Sequence, residues 1–474
     1  MPVTESYRPE LLHESLGDPF FDRVEAAPFP KTVLRFRNQR WAARVGLDGL
    51  SEAEWLAHFG RFEPLPGSLP QPLALRYHGH QFRVYNPELG DGRGFLFAQL
   101  RDAQDGRLLD LGTKGSGQTP WSRRGDGRLT LKGGVREILA TEMLEALGVD
   151  TSKTFSLIET GEALLRGDEP SPTRSSVLVR LSHSHIRIGT FQRLAFHDDK
   201  PAIDRLLDYV CAHYFPALAS LPAPAKARAF LEEVAARVAR LGAGYMSAGF
   251  VHGVLNSDNI NVTGESFDYG PWRFAPSYDP LFTAAYFDET GLYAFGRQPS
   301  ALHWNLARLA ECLLHLTGLD AAQKTLDGFA QAIQKEFRAA LLRRLALAPA
   351  GEEADARIAR AFTDFLIATR APFEQSFFDW RGGLASAGRA GASPSAAFYE
   401  TPEFAAVRAA LAEHESVNAR LDHPYFQRRT PCGMLIEEVE GIWAPIAEAD
   451  DWSALERKLA EIAEMRAAYG FAAG

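Results

Sequence analysis

The sequence predicts an α+β fold in which a β-rich first half, carrying one prominent helix, precedes a helical second half. Three observations predict it. Apolar runs bounded by turn dipeptides and polar inserts lie between residues 95 and 190, the pattern of strands. One run at helical spacing, "VREILATEMLEALG" (135–148), interrupts them. From about residue 200 onward, apolar residues recur at intervals of three and four.

Residues 1–75 mix helix-like patches with the proline-rich stretch "EPLPGSLPQP", which reads as extended loop. A glycine-rich turn, "ELGDGRG" (88–94), leads into "FLFAQL" (95–100) and "LLDLGTK" (108–114). These runs flank Asp105-Gly106, so a β-hairpin is expected. A second glycine-rich loop, "GSGQTPWSRRGDG" (115–127), comes next. In the helix at 135–148, Val135, Ile138, Leu139, Met143 and Ala146 share a face, and Gly148 is the stop. "TFSLIE" (154–159) and "SSVLVRL" (175–181) read as strands around the polar insert "RGDEPSPTR". Phe230, Val234, Val238, Leu241 and Tyr245 mark a helix ending at Gly249. Further helices are expected near 302–317, 322–347, 354–370 and 453–468, with "RGGLASAGRAGASPSAA" (381–397) a flexible linker or loop by composition.

The bulk numbers exclude several classes of function. A net charge of −9 argues against a nucleic-acid partner, because phosphate neutralisation needs a basic surplus. No run of 18 apolar residues is present, so no membrane span is expected. The start, "MPVTESYRPELLHESLG", has no apolar core of a signal peptide. The cysteines, Cys211, Cys312 and Cys432, are far apart and suit a reducing compartment. A cytoplasmic location is the expectation.

"HGVLNSDN" (252–259) carries the chemistry. A protein kinase places Asp two residues after the His of its catalytic loop and Asn seven after. Here Asn259 is in place, Val254 stands where the Asp would be, and an acid appears at Asp258. "FDYG" (267–270) offers Asp268 as a metal carboxylate, brought beside Asn259 by a short strand "NINV" (259–262). Lys114 at a strand end and Glu137 on the next helix suit the lysine–glutamate pair of such sites. "GDGR" occurs twice, at 90–93 and 125–128, and its glycines would let backbone N–H groups approach phosphate. Arg180 and Arg187 flank "LSHSHI" and could fork onto phosphate. His78, His80, His183 and His185 lack further ligands for a metal, and His252 reads as a structural hydrogen-bonding residue. At its reference pKa of about 3.9, Asp258 is expected to be ionised at pH 7. This order of parts is that of a protein-kinase-like bilobal fold. It leaves three functions open: a nucleotidyl transfer enzyme, an ordinary kinase using Asp258, and a non-catalytic pseudokinase scaffold.

The sequence resembles the selenoprotein O family of protein adenylyltransferases. The resemblance lies in "HGHQF" (78–82), "LGDGR" (89–93), "KGSGQTPWSRRGDGR" (114–128), "REILATEMLEALGV" (136–149), "SHSHIRIGTFQ" (182–192), "HGVLNSDNINV" (252–262) and "DYGPWRF" (268–274). It implies a kinase-like fold that binds ATP turned round and transfers AMP to Ser, Thr or Tyr hydroxyls of proteins, releasing pyrophosphate. Use of UTP with Mn2+ is the alternative it implies. Lys114 and Glu137 would be the ion pair. Gly90, Gly92, Arg93, Asp126, Gly127, Arg180 and Arg187 would hold the nucleotide, Asn259 and Asp268 would bind Mg2+ or Mn2+, and Asp258 would accept the proton. Residues 1–195 would form the N-terminal region and nucleotide lobe, and residues 196–474 the helical lobe. The chain departs from the family at Arg83, where Gly is common, and at "LKGG" (131–134). Many members carry a Cys or selenocysteine near the end, tied to redox control, where this chain reads "YGFAAG", so the resemblance does not carry that regulation over.

Overall fold

The structure is a computed structural model that describes residues 3–471. The two readings made at the chain ends include residues 1–2 and 472–474, which lie outside the described residues.

An antiparallel sheet organises the first part of the chain. Its strands run in the order Phe21–Arg23, Leu73–Leu75, Leu96–Arg101, Leu108–Lys114, Thr173–Ser182, Lys153–Leu164, Val33–Arg37. The short strands Pro9–Glu10 and Leu129–Thr130 pair alongside. The expected hairpin is present, with Gly106 at φ +77° in its turn. Alternation decides which face each side chain covers. Leu157 and Leu178 point into one apolar cluster, while Phe155, Ile158, Val177 and Val179 join Trp41, Trp55 and Phe59 in another. Both faces are therefore buried, and the sheet is a core layer.

The helix Leu131–Ala146 lies on the first of these faces. It begins four residues before the apolar stripe, because the Thr130 hydroxyl caps it by accepting from the Gly133 amide. Gly134 lets it sit close: a Cβ there would lie 2.3 Å from Leu157 Cδ1. The C-terminal helices Ile436–Ala449 and Ser453–Tyr469 return across some 300 residues to grip it. Lys132 donates to Glu440 at 2.7 Å, and Arg466 pairs with Glu142.

The helical part is built around Ala223–Ala248 and Leu319–Leu345, the former closed by Gly249 at φ +65°. The helices Gln298–Thr317, Glu352–Thr369 and Ser453–Tyr469 match the expected ones within a few residues. The unexpected helix Ile188–Phe196, and Lys200–Tyr214, where the helical pattern begins, connect the sheet to this part. No helix among the described residues is long and apolar enough to cross a membrane. All three cysteines are buried, and burial pushes the Cys211 and Cys312 thiols up to about 12.

Two expectations fail. "NINV" is not a strand. Ser257–Asn259 is a single 3-10 turn, and only an isolated Arg187–Asn261 bridge follows it. The partner segment 186–188 offers just enough backbone for two hydrogen bonds, Ile188 N to Ile260 O and Val262 N to Ile186 O, each 3.0 Å. Segment 381–397 is not a linker either. It folds into short helices, the 3-10 helix Gly383–Ser386 and the α-helix Ala387–Gly391 among them. Its order comes from Arg381, whose buried guanidinium donates to the carbonyls of Arg343, Arg344 and Tyr469.

Candidate active site

Where the sheet meets the helical part lies a cavity of about 760 Å³. The glycine turn closes it from one side. A Cβ on Gly90 would lie 2.4 Å from the Trp121 ring, and one on Gly92 would lie 2.7 Å from the Trp121 carbonyl. Glycine is thus required for the two glycine-rich loops to touch. Arg93 lines the cavity from the first loop, and Asp126 and Gly127 line it from the second. The Asp126 carboxylate is held by Arg166 at 2.8 and 3.0 Å.

Lys114 stands at the end of its strand but is not a solvated surface charge. It is 4% exposed, so its ammonium needs partners. It donates to Glu137 at 2.7 Å, sits 3.1 Å from Asp268 Oδ1, and reaches the Tyr269 carbonyl at 3.3 Å. Arg180 adds a contact of 3.3 Å to the same Asp268 oxygen. Asp268 has φ +60°, a left-handed conformation that Asp tolerates better than most residues. Burial works to raise its pKa, but Lys114 and then Arg180 overcome this and hold it well below the usual range.

Asp258 and Asn259 line the same cavity. Burial pushes Asp258 up to about 7, against the pull of Arg187. The expectation of a fully ionised Asp258 is therefore corrected: the sequence could not show that this acid is 6% exposed. Its Oδ1 has no hydrogen-bond partner. The Asn259 carboxamide nitrogen donates to the Val254 carbonyl at 2.9 Å.

Glu137 and Arg187 lie behind the wall. Glu137 reaches the cavity through Lys114 at 2.7 Å and, more distantly, through Arg180 at 3.9 Å. Arg187 is 1% exposed, donates to the Asp258 carbonyl at 3.1 Å, and lies 3.9 Å over the Tyr77 ring. His252 is buried, with Nε2 against the Phe267 carbonyl at 3.2 Å, a structural contact. His78 and His80 bond Tyr85 and Gln192, and His185 lies between Asp110 and Arg180.

Sequence reasoning missed Asp91, Trp121, Arg123, Arg124 and Arg166, all of which line the cavity. Signals were available for four of them: Asp91 lies in "GDGR" (90–93), and Trp121, Arg123 and Arg124 lie in "WSRRGDGR". Arg166 gave none, because its insert reads as an ordinary polar loop.

A family model described as protein adenylyltransferase SelO matches residues 3–463. The chain belongs to the SelO family. It is an enzyme of this adenylyltransferase family, and its relatives agree along most of its length. A Synechocystis sp. protein named protein nucleotidyltransferase YdiU is 51% identical over 345 residues, 72% of this chain and 71% of its own. Proteins of the same name from Gloeobacter violaceus and Trichormus variabilis are 45% and 42% identical. They cover 92% and 95% of this chain, and 91% and 94% of their own. The cavity of this SelO-family chain falls wholly within the matched residues.

Proposed function

We propose that the enzyme transfers AMP from ATP to Ser, Thr or Tyr hydroxyls of proteins and releases pyrophosphate. The observation that carries this reading is the joining of Lys114, Glu137, Asp268, Asn259 and Asp258 around one cavity despite the loss of the kinase aspartate at Val254. A scaffold that only binds partners has no need of a buried lysine–carboxylate set beside an unpartnered acid.

In this reading residues 1–195 and 196–474 are the two lobes of a kinase-like fold, with the nucleotide between them. Lys114, fixed by Glu137, and Arg180 and Arg93 bind and orient the phosphates, while Arg187 acts from behind the wall by holding the Asp258 carbonyl. The glycine loops around Gly90, Gly92 and Gly127 give the backbone close approach. Asp258 accepts the proton of the acceptor hydroxyl. The oxygens of Asp268 and Asn259 fit a hard cation, Mg2+ or Mn2+. Among the described residues no three of His, Cys, Asp and Glu gather as a metal cluster. One carboxylate, one carboxamide and substrate phosphates are the usual habit of Mg2+. When bound, the cation would neutralise phosphate charge. Positioning and electrostatics supply the rest. The need for ATP favours the cytoplasm.

Parallel incubation with α-³²P-labelled ATP, γ-³²P-labelled ATP and α-³²P-labelled UTP tests the reading. Label on protein should arrive from the α position of ATP alone, with an added AMP by mass spectrometry. Label from the γ position would make this an ordinary kinase, α-label only from UTP would make it a uridylyltransferase, and none from any of the three would favour the scaffold.

A further inference from the structure

An apolar surface stands next to the cavity and is used by neither the cavity nor the core. Tyr286 is 86% exposed and Phe287 47%, and their rings meet edge to face at 5.1 Å. Their backbone is fixed. The Phe282 carbonyl accepts from the Phe295 amide at 2.9 Å, and the buried Asp288 carboxylate accepts from the Leu292 and Tyr293 amides at 2.8 Å each. The side chains are therefore presented to solvent by an ordered segment. Apolar patches held in this way mark interaction sites.

A hairpin ties this surface to Asp258. Its strands, Gly79–Gln81 and Val84–Asn86, turn through Phe82 and Arg83, both at positive φ. The Phe82 ring meets Phe287 at 5.8 Å and Tyr293 at 5.0 Å. Asn256, which lines the cavity, accepts on one oxygen from both the Phe82 amide (3.1 Å) and the Tyr293 hydroxyl (2.7 Å). At the other end of the hairpin, a Cβ on Gly79 would lie 2.9 Å from Asp258. One three-residue strand and its turn thus join the acid to the aromatic surface.

We propose that Tyr286 and Phe287, backed by Phe82, dock the acceptor polypeptide by taking an apolar or aromatic side chain near the reacting hydroxyl. This rests on the reading that the acceptor is a protein. The cavity wall is charged, and a bare hydroxyl offers almost nothing to select on, so selectivity must come from outside the cavity. The hairpin strand covers roughly 10 Å, the reach of about three extended residues. The anchor therefore lies about three residues from the hydroxyl.

The test measures binding apart from transfer. Fluorescein-labelled decapeptides of Gly and Ala carry one central Ser, with or without Phe three residues to either side. Their affinity is read by polarisation on the full chain loaded with Mg2+ and an ATP analogue that cannot release pyrophosphate. A Phe-bearing peptide should bind about tenfold tighter or more. The double variant Tyr286→Ser/Phe287→Ser should lose that gain while its ATP affinity stays unchanged. Equal affinity for both peptides, or a gain that survives the double variant, overturns the proposal. So does a concentration-dependent dimer of the wild type that the double variant abolishes, which would assign the surface to a second copy of the chain. Peptide binding with no α-label transferred to any acceptor would fail the AMP-transfer reading and leave the docking surface standing.

Discussion

Asp258 is where a single residue decides most. Asp258→Asn keeps the shape of the protonated acid, so the fold and ATP affinity should hold. General-base catalysis contributes about 10²–10⁴-fold, and kcat for α-label transfer should fall by that factor. A variant with wild-type kcat would show that the acid takes no proton. Lys114 and Glu137 make the second prediction. Lys114 lines the phosphate site, and Glu137 acts on it mainly by holding Lys114 at 2.7 Å. Lys114→Ala, Glu137→Ala and the double variant should therefore show similar losses in kcat/KM, because members of one unit are not additive. Fully multiplying losses in steady-state assays would separate them. Lys114, Glu137, Asn259 and Asp268 were legible in the sequence because chain order carries them: strand lysine, helix glutamate, loop, then D-x-G. The state of Asp258 was not legible, since its burial comes from Gly79 and Arg187 on distant segments. Arg166 was hidden for the same reason, its partner Asp126 lying 40 residues away.

Two glycines at the scale of the element should respond to the same substitution with opposite sign. Gly-to-Ala in a helix interior normally stabilises by about 0.5–1 kcal/mol. Gly328 in the helix Leu319–Leu345 is exposed with nothing within 4 Å of an added Cβ, so Gly328→Ala should gain about that much. At Gly134 the new methyl would meet Leu157 and lift the helix Leu131–Ala146 from the sheet. Gly134→Ala should lose about 1–3 kcal/mol, as overpacking does, and should weaken transfer because Glu137 rides on that helix. Urea unfolding with parallel activity assays reads both effects. The helix itself was legible from its apolar stripe. Its true start was not, because a threonine cap preceding "LKGG" leaves no apolar mark. "NINV" was misread because four residues of strand-like composition say nothing of whether a partner is long enough. Segment 381–397 was misread because small residues suggest freedom, whereas arginine contacts to distant carbonyls remove it.

Across the whole molecule, the C-terminal helices hold the helix that carries Glu137. Arg466 of Ser453–Tyr469 meets Glu142 and Glu145 there, with side chains only 11% and 4% exposed on the carboxylate side. Hydrogen bonds to charged groups contribute about 1.5–3 kcal/mol each. Arg466→Ala should lower stability by about that amount and reduce kcat, while Arg466→Lys recovers part of both. A stable, fully active Arg466→Ala protein in thermal melts and transfer assays would show that the contact is idle. No pattern in the sequence points to this contact, since its partners lie 324 residues apart. The mixed α+β class was legible from the shift in apolar spacing along the chain, but the return of the C-terminus was not.

The three buried thiols turn this architecture into its own stopwatch. A thiol reagent attacks only the exposed thiolate, and burial raises all three cysteines well above their usual pKa. In the native protein each can react only during a local opening. Cys211 sits on the helix Lys200–Tyr214, Cys312 on Gln298–Thr317, and Cys432 under the C-terminal helix, 3.6 Å from the Lys458 ammonium. The rate at which maleimide reaches each one, resolved by peptide mass, would therefore time the breathing of three separate regions without a single engineered label. Cys432 in particular would count every departure of the C-terminal helix from its seat.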